Sequence, residues 1–277
     1  MHLPEQVFGW YIKASIHVAL ALVSMVAFTG LIFGIEVSHH YLLALFFGSI
    51  ASYNGIKYGL EPAKHPYRVP GGFRTLVLLS LGSLGVAFYH LLFLPPYVWF
   101  LLMVCGAITV LYAVPLKPGI ANLRSRGVLK VLLVALVWTL ASLWIPVWGS
   151  PGAAGWDLTI ESFQRLVWVA LLMLPFEIRD MLRDPAHLRT IPQRWGIGFT
   201  RRLAWAGVIL FIGATWLKDT PATGEFLCKT AAGILTGLSV TFAGEQQGRY
   251  YASFWVEGIP IGAWALLALL QGTTGQA

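Results

Sequence analysis

The feature that most constrains this chain is a series of long apolar segments, each nearly free of charged residues. A helix needs about 20 mostly apolar residues to cross the hydrocarbon core of a bilayer. Nine segments qualify, namely 11–34, 41–60, 74–92, 95–114, 128–148, 160–182, 201–218, 226–245 and 251–270. The connecting segments are too short for a soluble domain. We therefore predict an all-α, multi-pass membrane protein in which residues 1–277 form a single domain of nine transmembrane helices.

The composition agrees with a membrane protein and excludes other classes. The 277 residues are 57% hydrophobic and only 11% charged, whereas soluble domains carry about 25% charged residues. A soluble core of this size cannot hide so much apolar surface, and disordered chains have the opposite composition. Cytosolic enzymes, secreted disulfide scaffolds and disordered proteins are thus excluded. The net charge of +7 indicates basic loops that set orientation rather than a nucleic-acid partner.

The basic residues predict how the bundle is oriented. With nine spans, all but three of the 19 Lys and Arg residues fall on the side that holds the N-terminus. The three exceptions are Arg165, Lys218 and Lys229. Because cytoplasmic loops carry the excess of positive charge, we expect the N-terminus in the cytoplasm and the C-terminus outside.

The cytoplasmic end of the sixth span carries the most informative polar residues. Glu177, Asp180 and Asp184 have the spacing i, i+3, i+7, which places them on one face of a helix. Three carboxylates in a medium of low dielectric repel one another unless a cation lies between them. Because Mg²⁺ binds carboxylate and phosphate oxygens, the stripe predicts a site for a Mg²⁺-bridged diphosphate. A solvated helix end among lipid headgroups is the alternative.

The same segment resembles the second aspartate-rich motif of the intramembrane aromatic prenyltransferase (UbiA) superfamily. The matching residues are Asp180, Asp184, Arg189, Thr190 and Gly196. A second stretch, with Tyr112, Lys117 and Lys130, is similar to the family's loop after its fourth helix and to its fifth helix.

This resemblance implies a fold, an activity and a set of site residues. The fold is nine helices around a central cavity, with its polar motifs at the cytoplasmic end. The activity is Mg²⁺-assisted transfer or cyclisation of an isoprenyl group from a prenyl diphosphate, with a lipid-soluble acceptor in the bilayer. Asp180 and Asp184 are the expected catalytic residues and, with Glu177, the metal ligands. The residues expected to bind substrate are Asn54, Lys57, Tyr58, Arg68, Tyr112, Lys117, Lys130 and Arg189.

The end of the second span departs from the family's first motif, NDxxDxxxD. Asn54 is kept, but Gly55, Tyr58 and Pro62 stand where the family has aspartates. Without these aspartates, the chain binds fewer metal ions, binds a diphosphate through its own cations, or binds none. The alternative function is therefore a non-catalytic membrane protein that binds an isoprenoid, quinone or carotenoid, or a subunit of a membrane complex.

Two further ionisable residues have open roles. Lys57 either binds phosphate in place of a metal ion or forms a structural salt bridge with Asp180 or Asp184. Glu257 lies in the ninth span, where an ionisable residue is a functional candidate by default. We expect Glu257 to pair with a neighbour such as Arg249 or Tyr250.

Overall fold

The computed structural model describes residues 3–59, 72–113, 127–148, 150, 155–185 and 188–274. The α-helices are α1 (Leu3–Lys13), α2 (Ile16–Phe33), α3 (His39–Asn54), α4 (Gly72–Leu91), α5 (Pro96–Ala113), α6 (Gly127–Thr139), α7 (Ile145–Trp148), α8 (Trp156–Asp180), α9 (Ile191–Gly213), α10 (Glu225–Phe242) and α11 (Ile259–Thr274). Short π-helical segments occupy Gly55–Gly59, Leu140–Trp144 and Tyr251–Val256. The described ranges contain no β-strand, so the all-α prediction is confirmed.

Seven helical segments in the described part of the chain are long and apolar enough to cross a membrane, which fits an integral membrane protein. They are Ile16–Phe33, Arg74–Leu91, Pro96–Ala113, Gly127–Trp148, Trp156–Asp180, Ile191–Leu217 and Tyr251–Gly272. The predicted count of nine is not confirmed. The helix α3 has only 16 residues before its π-helical end, and α10 carries Glu225 and Lys229. The predicted orientation stays a prediction.

The aromatic core of the bundle joins four helices. Trp168 of α8 stacks on Phe211 of α9, with ring centroids 5.4 Å apart, and lies 6.1 Å from the ring of Phe28 in α2. Its indole Nε1 donates a hydrogen bond to Thr236 Oγ1 of α10 over 3.1 Å. Outside this core, apolar side chains such as Leu78 on α4 are largely exposed, as expected of a surface in contact with lipid.

A network of buried charges joins α8 to α10. Glu161 lies 2.5 Å from Lys229 Nζ, 3.2 Å from Arg165 Nη2 and 3.5 Å from Lys218 Nζ. Glu225 lies 2.6 Å from both lysine Nζ atoms. Arg165, Lys218 and Lys229 are the three basic residues that did not fall on the predicted cytoplasmic side. All three are buried in this cluster rather than exposed in loops.

Candidate functional site

One cavity of about 780 Å³ lies inside the bundle. Its walls are mostly apolar and come from α2, α3, α4, α5, α6 and α8. Its charged lining residues are Lys13, Lys57, Lys130, Glu177, Arg179, Asp180 and Glu257. An apolar chamber of this size with a few convergent polar groups is typical of a small-molecule site.

Lys130 of α6 brings two of the predicted site carboxylates together. Its Nζ lies 2.7 Å from Glu177 Oε1 and 3.3 Å from Asp184 Oδ2. The helix α8 ends at Asp180, and a turn in which the Asp184 N–H donates to the Asp180 carbonyl over 2.7 Å brings Asp184 back toward Lys130. Both Glu177 carboxylate oxygens are buried and have no hydrogen-bond partner in the described ranges, so the contact with Lys130 is an ion pair.

Asp180 has a different partner from the other two carboxylates. Arg179 donates from Nε to Oδ1 and from Nη2 to Oδ2, both over 2.8 Å. The guanidinium carbon also lies 5.2 Å from the centroid of the Phe176 ring. The predicted stripe of three carboxylates is therefore divided between two cations that the chain itself supplies.

In this arrangement the three carboxylates do not fit a Mg²⁺ ion. Mg²⁺ requires near-octahedral oxygen ligands at about 2.0–2.1 Å. Here Arg179 pairs with both Asp180 oxygens, and the Lys130 ammonium group contacts Glu177 Oε1 and Asp184 Oδ2, where it repels a second cation. Among the residues that the structure describes, no group of three His, Cys, Asp or Glu side chains is placed to hold a metal ion. Metal binding at these carboxylates stays a prediction that requires a cationic side chain to move away.

The polar end of α3 binds the turn between α1 and α2. Ser15, in this turn, has a left-handed backbone with φ 61°. Its hydroxyl donates to Asn54 Oδ1 over 2.8 Å and accepts from Lys57 Nζ over 2.9 Å. Tyr58 donates to the Lys13 carbonyl over 3.1 Å. The predicted first span is thus divided between two helices, joined by a strained residue that Asn54 and Lys57 hold in place.

Lys57 faces the cavity and is exposed to it. Of the two roles left open for Lys57, the salt bridge is not formed, because no ion pair joins Lys57 to Asp180 or Asp184, which are both described. The physical reason is competition, since these two aspartates already have Lys130 and Arg179 as partners. The ammonium group of Lys57 therefore stays available to an anion in the cavity.

Glu257 lies in the cavity wall between the π-helical segment Tyr251–Val256 and α11. Lys57 and Arg179 are near enough to interact with its carboxylate electrostatically. The expected pairing with Arg249 is wrong, since that guanidinium lies over the Tyr250 ring at 5.2 Å. Spacing along the chain favoured a partner close to Glu257 in sequence. In the folded bundle, the Glu257 side chain instead lies near Lys57 and Arg179, after α3 and in α8.

The other predicted site residues differ in their placement. Tyr58 and Tyr112 line the cavity. Asn54 is buried beside it and donates to Ser80 Oγ over 3.1 Å. Arg189 is exposed and is not among the residues that line the cavity. Arg68 and Lys117 lie outside the described residues.

Gly127 fixes the start of α6 against the loop that follows α8. A Cβ at this position, where φ is +29°, would lie 2.5 Å from the Arg189 carbonyl oxygen and 2.7 Å from that of Leu188. Only glycine fits so close an approach of two backbones. Lys130 follows three residues later, so this contact sets the position of its ammonium group along the bundle axis relative to Glu177.

Solved structures of UbiA homologues have the same fold. One from Archaeoglobus fulgidus matches with a TM-score of 0.62 at 17% identity, covering 94% of this chain and 98% of that one. A UbiA homologue from that organism bound to GPP and Mg²⁺ gives 0.64 at 15% identity with the same coverage. A digeranylgeranylglyceryl phosphate synthase structure gives 0.55 at 14% identity, covering 96% and 98%.

These matches show that the chain has the fold of the UbiA homologues, so the resemblance noted in the sequence is confirmed for the fold. Structures of UbiA homologues with DMAPP and Mg²⁺ and with Cd²⁺ also match. No family model and no curated protein matches the sequence.

Proposed function

We propose that this chain is a divergent member of the UbiA superfamily. It transfers an isoprenyl group from a prenyl diphosphate to an acceptor dissolved in the bilayer, or cyclises that group in the same cavity. The observation that carries the proposal is one cavity with apolar walls and a polar end where Lys57, Lys130 and Arg179 converge. The matched UbiA homologues with GPP or DMAPP and Mg²⁺ support the same class of donor.

The cations at the polar end suit a diphosphate leaving group. Breaking the C–O bond of a prenyl diphosphate places negative charge on the diphosphate and positive charge on the allyl group. Fixed cations stabilise the developing anion most strongly where water is excluded. Lys57 supplies an ammonium group without an ion-pair partner among the described residues, and Lys130 of α6 and Arg179 of α8 supply two more cationic groups.

Aromatic rings farther into the cavity suit the allyl cation. Tyr53 and Trp138 both line it, and the Trp138 Nε1 donates to the Tyr53 hydroxyl over 2.7 Å. This hydrogen bond fixes the two rings relative to each other. The faces of aromatic rings attract cations, so a fixed pair beside the prenyl group stabilises the ionised state.

In this proposal, a metal ion binds the carboxylates only if a basic side chain first leaves them. Mg²⁺ at Glu177 and Asp184 would need Lys130 to leave, and at Asp180 it would need Arg179 to leave. When bound, Mg²⁺ would supply further neutralisation of the diphosphate. The chain's own cations supply that neutralisation in the arrangement described above.

A second candidate function is binding of an isoprenoid without catalysis. It is favoured by the absence of the first-motif aspartates and by the ion pairs that Glu177, Asp180 and Asp184 all make with basic side chains. Both functions require the cavity to hold a prenyl chain. They differ in whether the C–O bond of a bound prenyl diphosphate breaks.

The first experiment measures binding of geranyl diphosphate (GPP) to the purified protein in detergent, by calorimetry. Lys57→Met is expected to weaken binding roughly 10–100-fold, because a hydrogen bond to a charged group contributes about 1.5–3 kcal/mol. Arg183→Gln is the matched control, since Arg183 is an exposed basic residue beside the site that does not line the cavity. Equal binding by the parent and Lys57→Met would contradict the assignment of the diphosphate end.

Turnover is then measured with GPP and a panel of lipid-soluble phenols, hydroquinones and alcohols, with mass spectrometry of the products. A prenylated or cyclised product supports the transferase proposal. GPP binding without release of diphosphate on any acceptor supports the non-catalytic function instead.

A further inference from the structure

Glu257 differs from every other carboxylate that lines the cavity. Glu177 is paired with Lys130, and Asp180 is held by Arg179. The Glu257 carboxylate makes no hydrogen bond or salt bridge to the part of the chain that the structure describes, although it lines the same cavity. Among the described residues, it is therefore the cavity-lining carboxylate that is not held in an ion pair.

Prenyl transfer needs a group that accepts a proton, in addition to the cations that bind the diphosphate. When the prenyl carbon bonds to an aromatic carbon or a hydroxyl oxygen of the acceptor, the attacked atom must lose a proton. A basic side chain that lines the cavity beside the acceptor can take this proton. Lys57 and Arg179 are already protonated and cannot accept it, and the carboxylates of Glu177 and Asp180 are engaged by cations.

We infer that Glu257 is the catalytic base that takes the proton from the acceptor. The inference rests on the proposed transferase function. The C–O bond between the prenyl C1 and the diphosphate breaks, and its electron pair leaves with the diphosphate. The attacked acceptor atom forms a new bond to C1, and the proton that this atom carried passes to a Glu257 oxygen. The acceptor is thus a lipid-soluble molecule with an electron-rich aromatic C–H or a hydroxyl group.

The groups around Glu257 suit this role. Lys57 at the end of α3 and Arg179 of α8 both stabilise the charged carboxylate that accepts the proton. Tyr11 of α1 and Tyr53 of α3 also interact with it electrostatically. The same two cations are those proposed to bind the diphosphate, so Glu257 lies at the polar end of the cavity, close to where C1 would be attacked.

The test compares Glu257→Gln with the parent, using GPP and the acceptor that gives the highest turnover in the panel. We expect Glu257→Gln to bind GPP as the parent does and to lose about 10²–10⁴-fold in turnover, the range for general base catalysis. Glu257→Asp is expected to recover part of the rate. The parent rate should rise with pH as Glu257 loses its proton, and Glu257→Gln should lose that rise. Glu36→Gln is the matched control, because Glu36 is an exposed carboxylate outside the cavity.

The outcomes separate this inference from the function on which it rests. Parent turnover that Glu257→Gln retains, with the same pH profile, would overturn the role of Glu257 and leave the transferase function intact. Weaker GPP binding by Glu257→Gln, with the pH profile kept, would also overturn the role, since it would indicate a structural effect. A parent that binds GPP but turns over no acceptor would overturn the proposed function, and the inference with it.

Discussion

Substitution of Glu161 by Gln tests the buried charge network most directly. Glu161 is 1% exposed and contacts three cations, whereas Glu225 is the only other carboxylate in the cluster of described charges. The change keeps the shape of the side chain and leaves three buried cations with one carboxylate. Removing one partner from a buried ion pair costs about 3–5 kcal/mol, so we expect a loss of that size in the free energy of unfolding.

Substitution of Lys229 by Met is expected to be milder, because charge balance improves. Two cations then face two carboxylates. Glu161 keeps Arg165 and Lys218, and Glu225 keeps Lys218. The expected cost is about 1–3 kcal/mol, from acceptors that lose a buried donor; these include Gln164 Oε1, 2.6 Å from the Lys229 Nζ.

The assay is thermal unfolding of the purified protein in detergent. A change of 1 kcal/mol corresponds to about 2 °C for a chain of this length. Glu161→Gln should therefore lower the Tm by about 6–10 °C and Lys229→Met by about 2–6 °C. Glu36→Gln, an exposed carboxylate, should change it by less than about 1 °C. A larger loss with Lys229→Met than with Glu161→Gln would refute the reasoning from charge balance.

Three further predictions concern the polar end of the cavity. Lys130→Met frees two carboxylates, so GPP binding to this variant should weaken about tenfold in EDTA and recover when Mg²⁺ is added. EDTA should change the affinity of the parent for GPP by less than about threefold. Titration calorimetry measures both affinities. Gly127→Ala forces α6 away from the Arg189 carbonyl; it should cost about 1–3 kcal/mol in thermal unfolding and weaken GPP binding through Lys130. Ser15→Ala removes two hydrogen bonds of a buried hydroxyl and should lower the Tm by about 2–4 °C.

Each of these predictions has a result that would contradict it. Loss of GPP binding by the parent in EDTA would show that a metal ion is required despite Lys130. Gly82→Ala is the control for Gly127→Ala, because a Cβ at Gly82 meets no atom within 4 Å; equal effects of the two would contradict the close approach at Gly127. A Ser15→Ala variant as stable as the parent would show that Asn54 and Lys57 do not hold the turn.

The sequence predicted the class of fold and the polar end of the cavity because both depend on local patterns. Apolar length predicts a helix regardless of its neighbours, and the spacing of Glu177 and Asp180 was enough to indicate a site. The partners of these carboxylates were not predictable, because Lys130 approaches from another helix and its height depends on the contact of Gly127 with a distant loop. The sequence likewise gave no sign of the break at Ser15, which has neither a proline nor a glycine.

The charged residues of α10 also have a consequence for how the protein is made. Glu225 and Lys229 lie one turn apart and neutralise each other within the helix at 2.6 Å, which lowers the cost of moving both out of water. Lys229 also depends on Glu161 of α8, which the ribosome synthesises 68 residues earlier. We expect α8 to remain beside the translocon until α10 emerges, so that the two helices enter the lipid as a pair. The segment from α8 to α10 would then insert as one cooperative step.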